Sequence, residues 1–164
     1  MQATVYLNQE NISGTRQVSP ETAVSGQTSQ EAQLIEQARQ GDEVAWATLV
    51  TILGLTFKED IPDIRNTRVK DVVDELRKYN VAIQANDTYA DPVEVRQKFN
   101  FELTGIDELV PGHAVVVCVP HQQYREMGWS LMQRCLHSGK GVVYDVKSVL
   151  PREDMPEGIL LKRL

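Results

Sequence analysis

The sequence predicts an α/β fold: a doubly wound, mostly parallel sheet with helices on both faces. Three observations carry this. Val50 to Leu55 is a short apolar run of strand length, followed by a charged loop and an amphipathic helix. A second apolar run, Val81-Ala82-Ile83-Gln84-Ala85, follows that helix and completes a strand–helix–strand unit with a right-handed crossover. The alternation then continues through Ala114 to Val119 and Val142 to Tyr144, with a helical pattern between them.

The 164 residues suffice for one domain with a real core plus an appendage. A hydrophobic share of 41% and a charged share of 24% are those of an ordinary soluble protein. The net charge of −6 argues against a nucleic-acid partner, which calls for a basic footprint. No apolar run approaches membrane-spanning length, and the N-terminus does not read as a secretory leader. Of the two cysteines, Cys118 sits in an apolar run and Cys135 in a helical pattern. Neither belongs to a CxxC pair or a metal-ligand spacing, so both read as structural thiols in a reducing, cytoplasmic setting.

Residues 1–28 are rich in Gln, Ser, Thr and Gly without a sustained period, and are expected to form a disordered tail. Residues 29–50 read as a short helical pair. Leu34, Ile35 and Ala38 give the first stripe, Gly41 and Asp42 the break, and Ala45, Trp46, Leu49 and Val50 the second apolar face. The helix is expected to stop before Leu49, because no glycine or proline separates it from the strand. Residues 51–164 form the α/β domain.

Within that domain Gly54 lets the chain leave the first strand tightly. Pro62 holds the following loop extended, and Asn66 is the expected N-cap of the next helix. Val69, Val72, Val73, Leu76 and Tyr79 make that helix's apolar stripe, with Asn80 as its stop. Asp91 and Pro92 predict an N-cap and first turn for a helix through about Lys98. Phe99 to Leu103 reads as a short strand or an extended piece, Gly105 to Val110 as a short helix, and Tyr124 to Leu136 as a longer one. Gly139-Lys140-Gly141 reads as a turn, and Gly158 to Leu161 as an edge strand. Lys58, Asp60, Asp63 and Arg65 crowd the carboxyl end of the first strand, where open α/β sheets bind ligands. The fold is therefore Rossmann-like, but the first turn holds only Gly54 in place of G-x-G-x-x-G, so the dinucleotide fingerprint is missing. Asp87 has the position of a ribose-binding acid, although a loop-capping role suits it better without that turn.

Two resemblances extend this reading. Residues 34–50, Leu-Ile-Glu-Gln-Ala-Arg-Gln-Gly-Asp-Glu-Val-Ala-Trp-Ala-Thr-Leu-Val, resemble the opening of extracytoplasmic-function sigma factors, without the portions that read DNA. Far longer is the match of Gly54-Leu55-Thr56-Phe57-Lys58-Glu59-Asp60 and Asp63-Ile64-Arg65-Asn66-Thr67. Continued through Tyr79, Asp87, His121, Asp145 to Leu150 and Lys162-Arg163-Leu164, it resembles the C-terminal domain of the UDP-glucose/GDP-mannose dehydrogenase family. The ending Asp-Val-Lys-Ser-Val-Leu looks most like enzymes that oxidise UDP-N-acetylhexosamines at C6.

That resemblance implies a UDP-sugar-binding domain of an enzyme that oxidises a primary alcohol twice with NAD, for surface polysaccharide. The family's NAD loop and catalytic cysteine lie in other domains, so this chain is expected to be inactive alone. No catalytic residue is assigned, and tight NAD binding to the chain by itself is not expected. Phe57 and Lys58 match the pair that contacts the sugar nucleotide, a lysine offering a compact charge to a diphosphate or carboxylate. Lys147 falls where the family often carries a substrate-contacting arginine, so it keeps the charge but not the fork. Arg65 matches an arginine that reaches NAD held by another domain, or it pairs with Asp60 or Asp63 to shape the loop. His121 suits a capping role or a polar position beside the substrate. The missing dehydrogenase domains are a possible partner in trans. The alternatives are a regulatory nucleotide-sugar-binding module and a truncated or fused gene product.

Overall fold

A computed structural model describes residues 33, 48–79 and 81–164. The expectations for the tail, for most of the helical pair and for Asn80 lie outside the described residues. Five strands form one sheet: β1 (Leu49–Leu53), β2 (Ala82–Asn86), β3 (Ala114–Val117), β4 (Gly141–Asp145) and β5 (Ile159–Arg163). The order is β2-β1-β3-β4-β5 and every pairing is parallel. Three α-helices connect the strands: α1 (Val69–Arg77), α2 (Pro92–Phe99) and α3 (Gln122–Arg134), with short 3-10 turns at Ile106–Glu108 and His137–Gly139.

Side chains alternate across the sheet, so each strand feeds two cores. On one face Val50, Ile52, Ile83 and Ala85 pack with Val69 and Val73 of α1 and Val95 and Phe99 of α2. On the other, Val115, Val117 and Val143 pack with Tyr124, Leu131, Met132 and Cys135 of α3. This is the doubly wound architecture expected from the sequence. Both cysteines are free and buried.

Boundaries moved where tertiary contacts competed with local signals. β1 contains Val50, as expected, and reaches one residue further back to Leu49. Asn66 does not cap α1. Arg68 occupies the N-cap, and the hydroxyl of Thr67 accepts from the Val69 N–H at 3.2 Å. The stripe on α1 is also narrower than its spacing suggested, because Val72 and Tyr79 are exposed and only Val69 and Val73 are buried. Phe99 closes α2 instead of opening a strand, and Asn100 ends that helix in the left-handed conformation. The chain then passes the sheet edge, where the Thr104 N–H meets the Ala85 carbonyl at 2.8 Å. Asp91 caps α2 as expected, accepting from Val93 and Glu94 N–H at 2.8 and 3.0 Å. Helix α3 kinks at Gly128, whose φ of 49° and ψ of −133° suit only glycine.

Candidate functional site

Strand order places the site. The chain leaves β1 toward β2 and later returns to the other side of β1 as β3, so the switch point lies between the carboxyl ends of β1 and β3. Residues 54–65 rise from β1 there, and residues 118–121 rise beside them from β3. The floor of this crevice is closed. A Cβ at Gly54 (φ +84°) would stand 2.3 Å from the Val119 carbonyl oxygen, so the two turns touch through the missing side chain.

Asp87, at the end of β2, organises the loops. It is 5% exposed. Its Oδ2 accepts from the Leu55 and Thr56 N–H groups at 2.5 and 3.0 Å, and its Oδ1 from Tyr89 and Ala90 at 2.8 and 2.9 Å. His121 completes the set with Nε2 at 3.0 Å from Oδ2. Burial alone would raise the carboxyl pKa, but the bonds from His121 and the Leu55 N–H outweigh it and hold the group down at about 2.

His121 is itself wholly buried and works in both directions. Its Nδ1 accepts from the Asp60 N–H at 2.9 Å, which leaves the Nε2 proton of a neutral ring directed at Asp87. The Thr56 hydroxyl, 3.3 Å from the same nitrogen, donates to the Lys58 carbonyl. Asp60 sits at φ 58° and accepts from the Gln122 N–H at 2.8 Å, which caps α3. That bond holds the Asp60 carboxyl below its usual range. The His121 ring also stacks obliquely on Tyr89, with centroids 4.8 Å apart. The capping role expected of Asp87 and His121 is therefore the one their geometry supports.

The clamp holds Phe57 and Lys58 outward. The Phe57 N–H bonds to the Asp63 carbonyl at 2.7 Å, and Asp63 N–H to the Ile61 carbonyl at 2.9 Å, so the loop curls back on itself around Pro62 instead of running extended. Phe57 is 61% exposed, and Lys58 is exposed with no ion pair among the described residues. Arg65 is paired with Asp63 through Nε at 3.1 Å and Nη2 at 2.9 Å. The Arg65 bonds pull the Asp63 carboxyl down to about 2. Of the two partners the sequence offered Arg65, the structure selects Asp63. Lys98, which sequence reasoning passed over, donates to the Ile64 and Arg65 carbonyls and ties the loop to α2.

Lys147 is exposed on the same edge, in the turn after β4. Buried Asp145 shapes that turn by accepting from Val149 and Leu150 N–H at 3.1 and 2.9 Å. Sequence reasoning named Asp145 only as the first residue of a matching motif and gave it no role; its place at the end of a strand, before a turn, was the available signal. Phe57, Lys58 and Lys147 thus share the carboxyl edge, with β3 and its loop between them. Among the described residues no group of three or more His, Cys, Asp or Glu is placed to hold a metal ion, and no helix is long and apolar enough to cross a membrane.

The turn after β1 does not fit a dinucleotide. One glycine is present, its Cα face is filled by Val119, and the acid after β2 is already taken by five donors. What the edge offers is an exposed aromatic ring beside a cation with no ion pair among the described residues, on a loop held by Asp87 and His121, a pairing suited to an anionic ligand with an apolar part.

Comparison with known proteins places the domain in a family. Residues 51–152 match the profile described as the UDP-glucose/GDP-mannose dehydrogenase family, UDP binding domain. The UDP-N-acetyl-D-glucosamine 6-dehydrogenase of Salmonella typhi is 45% identical over 106 residues, 63% of this chain and 24% of that protein. Protein CapL of Staphylococcus aureus is 36% identical over 132 residues, 79% of this chain and 30% of that protein. Among solved structures, the NDP-N-acetyl-D-galactosaminuronic acid dehydrogenase of Methanosarcina mazei Go1 superposes with a TM-score of 0.59 at 19% identity, covering 85% of this chain and 28% of that one. The chain thus spans less than a third of these relatives. None of them supports the sigma-factor reading of residues 34–50. With the profile matching well over half of its length, the chain belongs to the UDP-glucose/GDP-mannose dehydrogenase family, in the part that forms its UDP-binding domain.

Proposed function

We propose that this chain binds a UDP-sugar at the carboxyl edge of its sheet, with Phe57 and Lys58 as principal contacts and Lys147 as a second cation. The observation that carries the proposal is Lys58: an exposed ammonium without an ion pair among the described residues, on a loop fixed by Asp87 and His121. A lysine so held meets a diphosphate without first breaking a salt bridge. Phe57 beside it supplies an apolar face for a base or sugar ring.

The substrate class is a UDP-N-acetylhexosamine, which the name of the Salmonella typhi relative supports. The chemistry is an NAD-dependent oxidation completed by other domains, and it serves polysaccharide synthesis in the cytoplasm. Arg65, ordered by Asp63, is the group proposed to reach a dinucleotide held by such a domain. Partnership with those domains in trans belongs to the same proposal.

Titration calorimetry of the purified chain with UDP-N-acetylglucosamine, UDP-glucuronate and NAD tests this. The expected result is saturable binding of a UDP-sugar, weakened roughly tenfold or more in Lys58→Ala, which is about 1.4 kcal/mol. No heat of binding from a chain shown to be folded would refute it. NAD is expected to give none.

A further inference from the structure

The two lysines of the ligand edge stand on loops built in the same way. For Lys58, buried Asp87 accepts loop N–H groups and meets His121, which comes from the end of a neighbouring strand. For Lys147 the acid is Asp145, whose side chain is wholly buried at the end of β4. Its Oδ1 and Oδ2 accept from the Val149 and Leu150 N–H groups, and the Asp145 carbonyl accepts from the Ser148 N–H at 3.3 Å. Val146 and Lys147 are therefore the central residues of a closed turn. The Val146 N–H pins that turn to β3 through the Val117 carbonyl at 3.2 Å. Ser148 leaves it at φ 57°, as Asp60 does at φ 58° beyond Lys58. Left-handed residues other than glycine persist only where surrounding bonds hold them.

The counterpart of His121 is Arg163, the last residue of β5 and the register partner of Asp145. Its Nη2 lies 3.3 Å from the Asp145 Oδ2 and donates to the Leu150 carbonyl, so one nitrogen grips both ends of the segment that carries Lys147. Nε of the same guanidinium is buried without a hydrogen-bond partner among the described residues. That orphan is a cost the fold carries, so Asp145 and Leu150 set the position of the guanidinium, not its own full hydrogen bonding. Without Arg163, a wholly buried carboxylate would face only two backbone N–H groups. It would then take up a proton or draw in water, and either change weakens its hold on the turn.

We propose that Arg163 is a positioning residue for the ligand edge: through Asp145 it holds the turn that presents Lys147, as His121 through Asp87 holds the loop that presents Lys58. The role rests on the reading of that edge as a UDP-sugar site, and it extends the machinery of the site to the outermost strand, β5. Arg163 itself touches no ligand in this arrangement.

Arg163→Gln in the full chain tests the proposal at two levels. Backbone nitrogen relaxation by NMR should show the order parameters of Val146, Lys147 and Ser148 falling from roughly 0.85 toward roughly 0.6, while those of Phe57 and Lys58 stay unchanged. Calorimetry with UDP-N-acetylglucosamine should show affinity falling roughly threefold or more in Arg163→Gln and in Lys147→Ala alike. The double variant should be no weaker than Lys147→Ala, since the lysine is the route of the effect. Added to Lys58→Ala, Arg163→Gln should instead multiply the two losses. Arg163→Lys keeps a cation beside Asp145 and should recover part of both signals; if the glutamine variant fails to fold, the lysine variant carries the same cycle with smaller losses. Unchanged order at Val146 to Ser148 would overturn the proposal. So would losses that multiply in the Lys147→Ala background, the mark of a merely structural role. Absence of binding in the unaltered chain would refute the UDP-sugar reading and this role with it, and it is told apart from the other outcomes because it precedes any substitution.

Discussion

Nε2 of His121 stands 3.0 Å from Oδ2 of Asp87, with both side chains wholly buried although they are 34 positions apart in the chain. This contact joins the loops that follow β2 and β3. Through the Leu55 and Thr56 N–H groups, the same carboxylate also fixes the loop after β1. Three strand ends are thereby locked by one acid, and the exposed Phe57 and Lys58 inherit their position from it.

Replacing Asp87 with Ala removes the acceptor for four backbone N–H groups and one imidazole. The expected loss is about 3 kcal/mol or more, as for other buried charged partners removed singly. Urea unfolding monitored by circular dichroism measures it. A loss below about 1 kcal/mol would mean that water replaces the carboxylate and that the clamp is not structural.

The same group sets an acid limit. The folded Asp87 carboxyl is held at about 2, below its ordinary value of 3.8. The folded state therefore binds fewer protons in that interval, and the stability Asp87 contributes is complete above about pH 4 and lost as pH falls toward 2. The difference corresponds to about 2 kcal/mol. In Asp87→Asn this part of the stability-against-pH curve should flatten.

Lys58→Ala should separate binding from folding. The side chain is exposed and makes no ion pair among the described residues, so thermal melting of the variant should superimpose on that of the parent while nucleotide-sugar affinity falls. A lowered melting point would instead make Lys58 a structural lysine.

Gly54→Ala should fail for two reasons at once. The position has φ +84°, and the added Cβ would lie 2.3 Å from the Val119 carbonyl and 2.6 Å from the Val119 Cβ. A cost above about 2 kcal/mol follows from strain and overpacking together. Soluble yield and melting temperature report it.

Both thiols should be silent in the native protein. Burial pushes Cys118 up to about 12 and Cys135 up to about 11, and the thiolate is the reactive form. A thiol reagent at neutral pH should label neither until denaturant is added, and should then label two. Fast native labelling of either residue would contradict its place in the core.

The sequence by itself determined the element types. Apolar runs of strand length, the Asp91–Pro92 start of α2, the glycine exit from β1 and the apolar setting of both cysteines are local features, and local periodicity and backbone restriction report them directly. Motif order likewise marked Phe57, Lys58, Arg65 and Lys147 before any coordinates. Only the tertiary structure decided the strand order and the partners. Phe99 read as extended because it is aromatic, yet it closes a helix whose buried face needs it beside Val95. Asn66 looked like the better cap, but Thr67 was the residue whose hydroxyl could bond both Val69 N–H and the Thr56 carbonyl. Gln84 sits where a strand of a buried sheet calls for an apolar residue. It is accommodated because Thr51, the Val110 carbonyl and the Val110 N–H satisfy its amide from across the fold. Asp87 was recognisable as an acid at a strand end, but not as the partner of a histidine 34 positions away. Such pairings form only when loops from different strands converge, and no periodicity within one element encodes them. The rise in exposure from Val50 to Leu160 along one row of the sheet belongs to the same class, because burial along a row depends on which connection crosses which face.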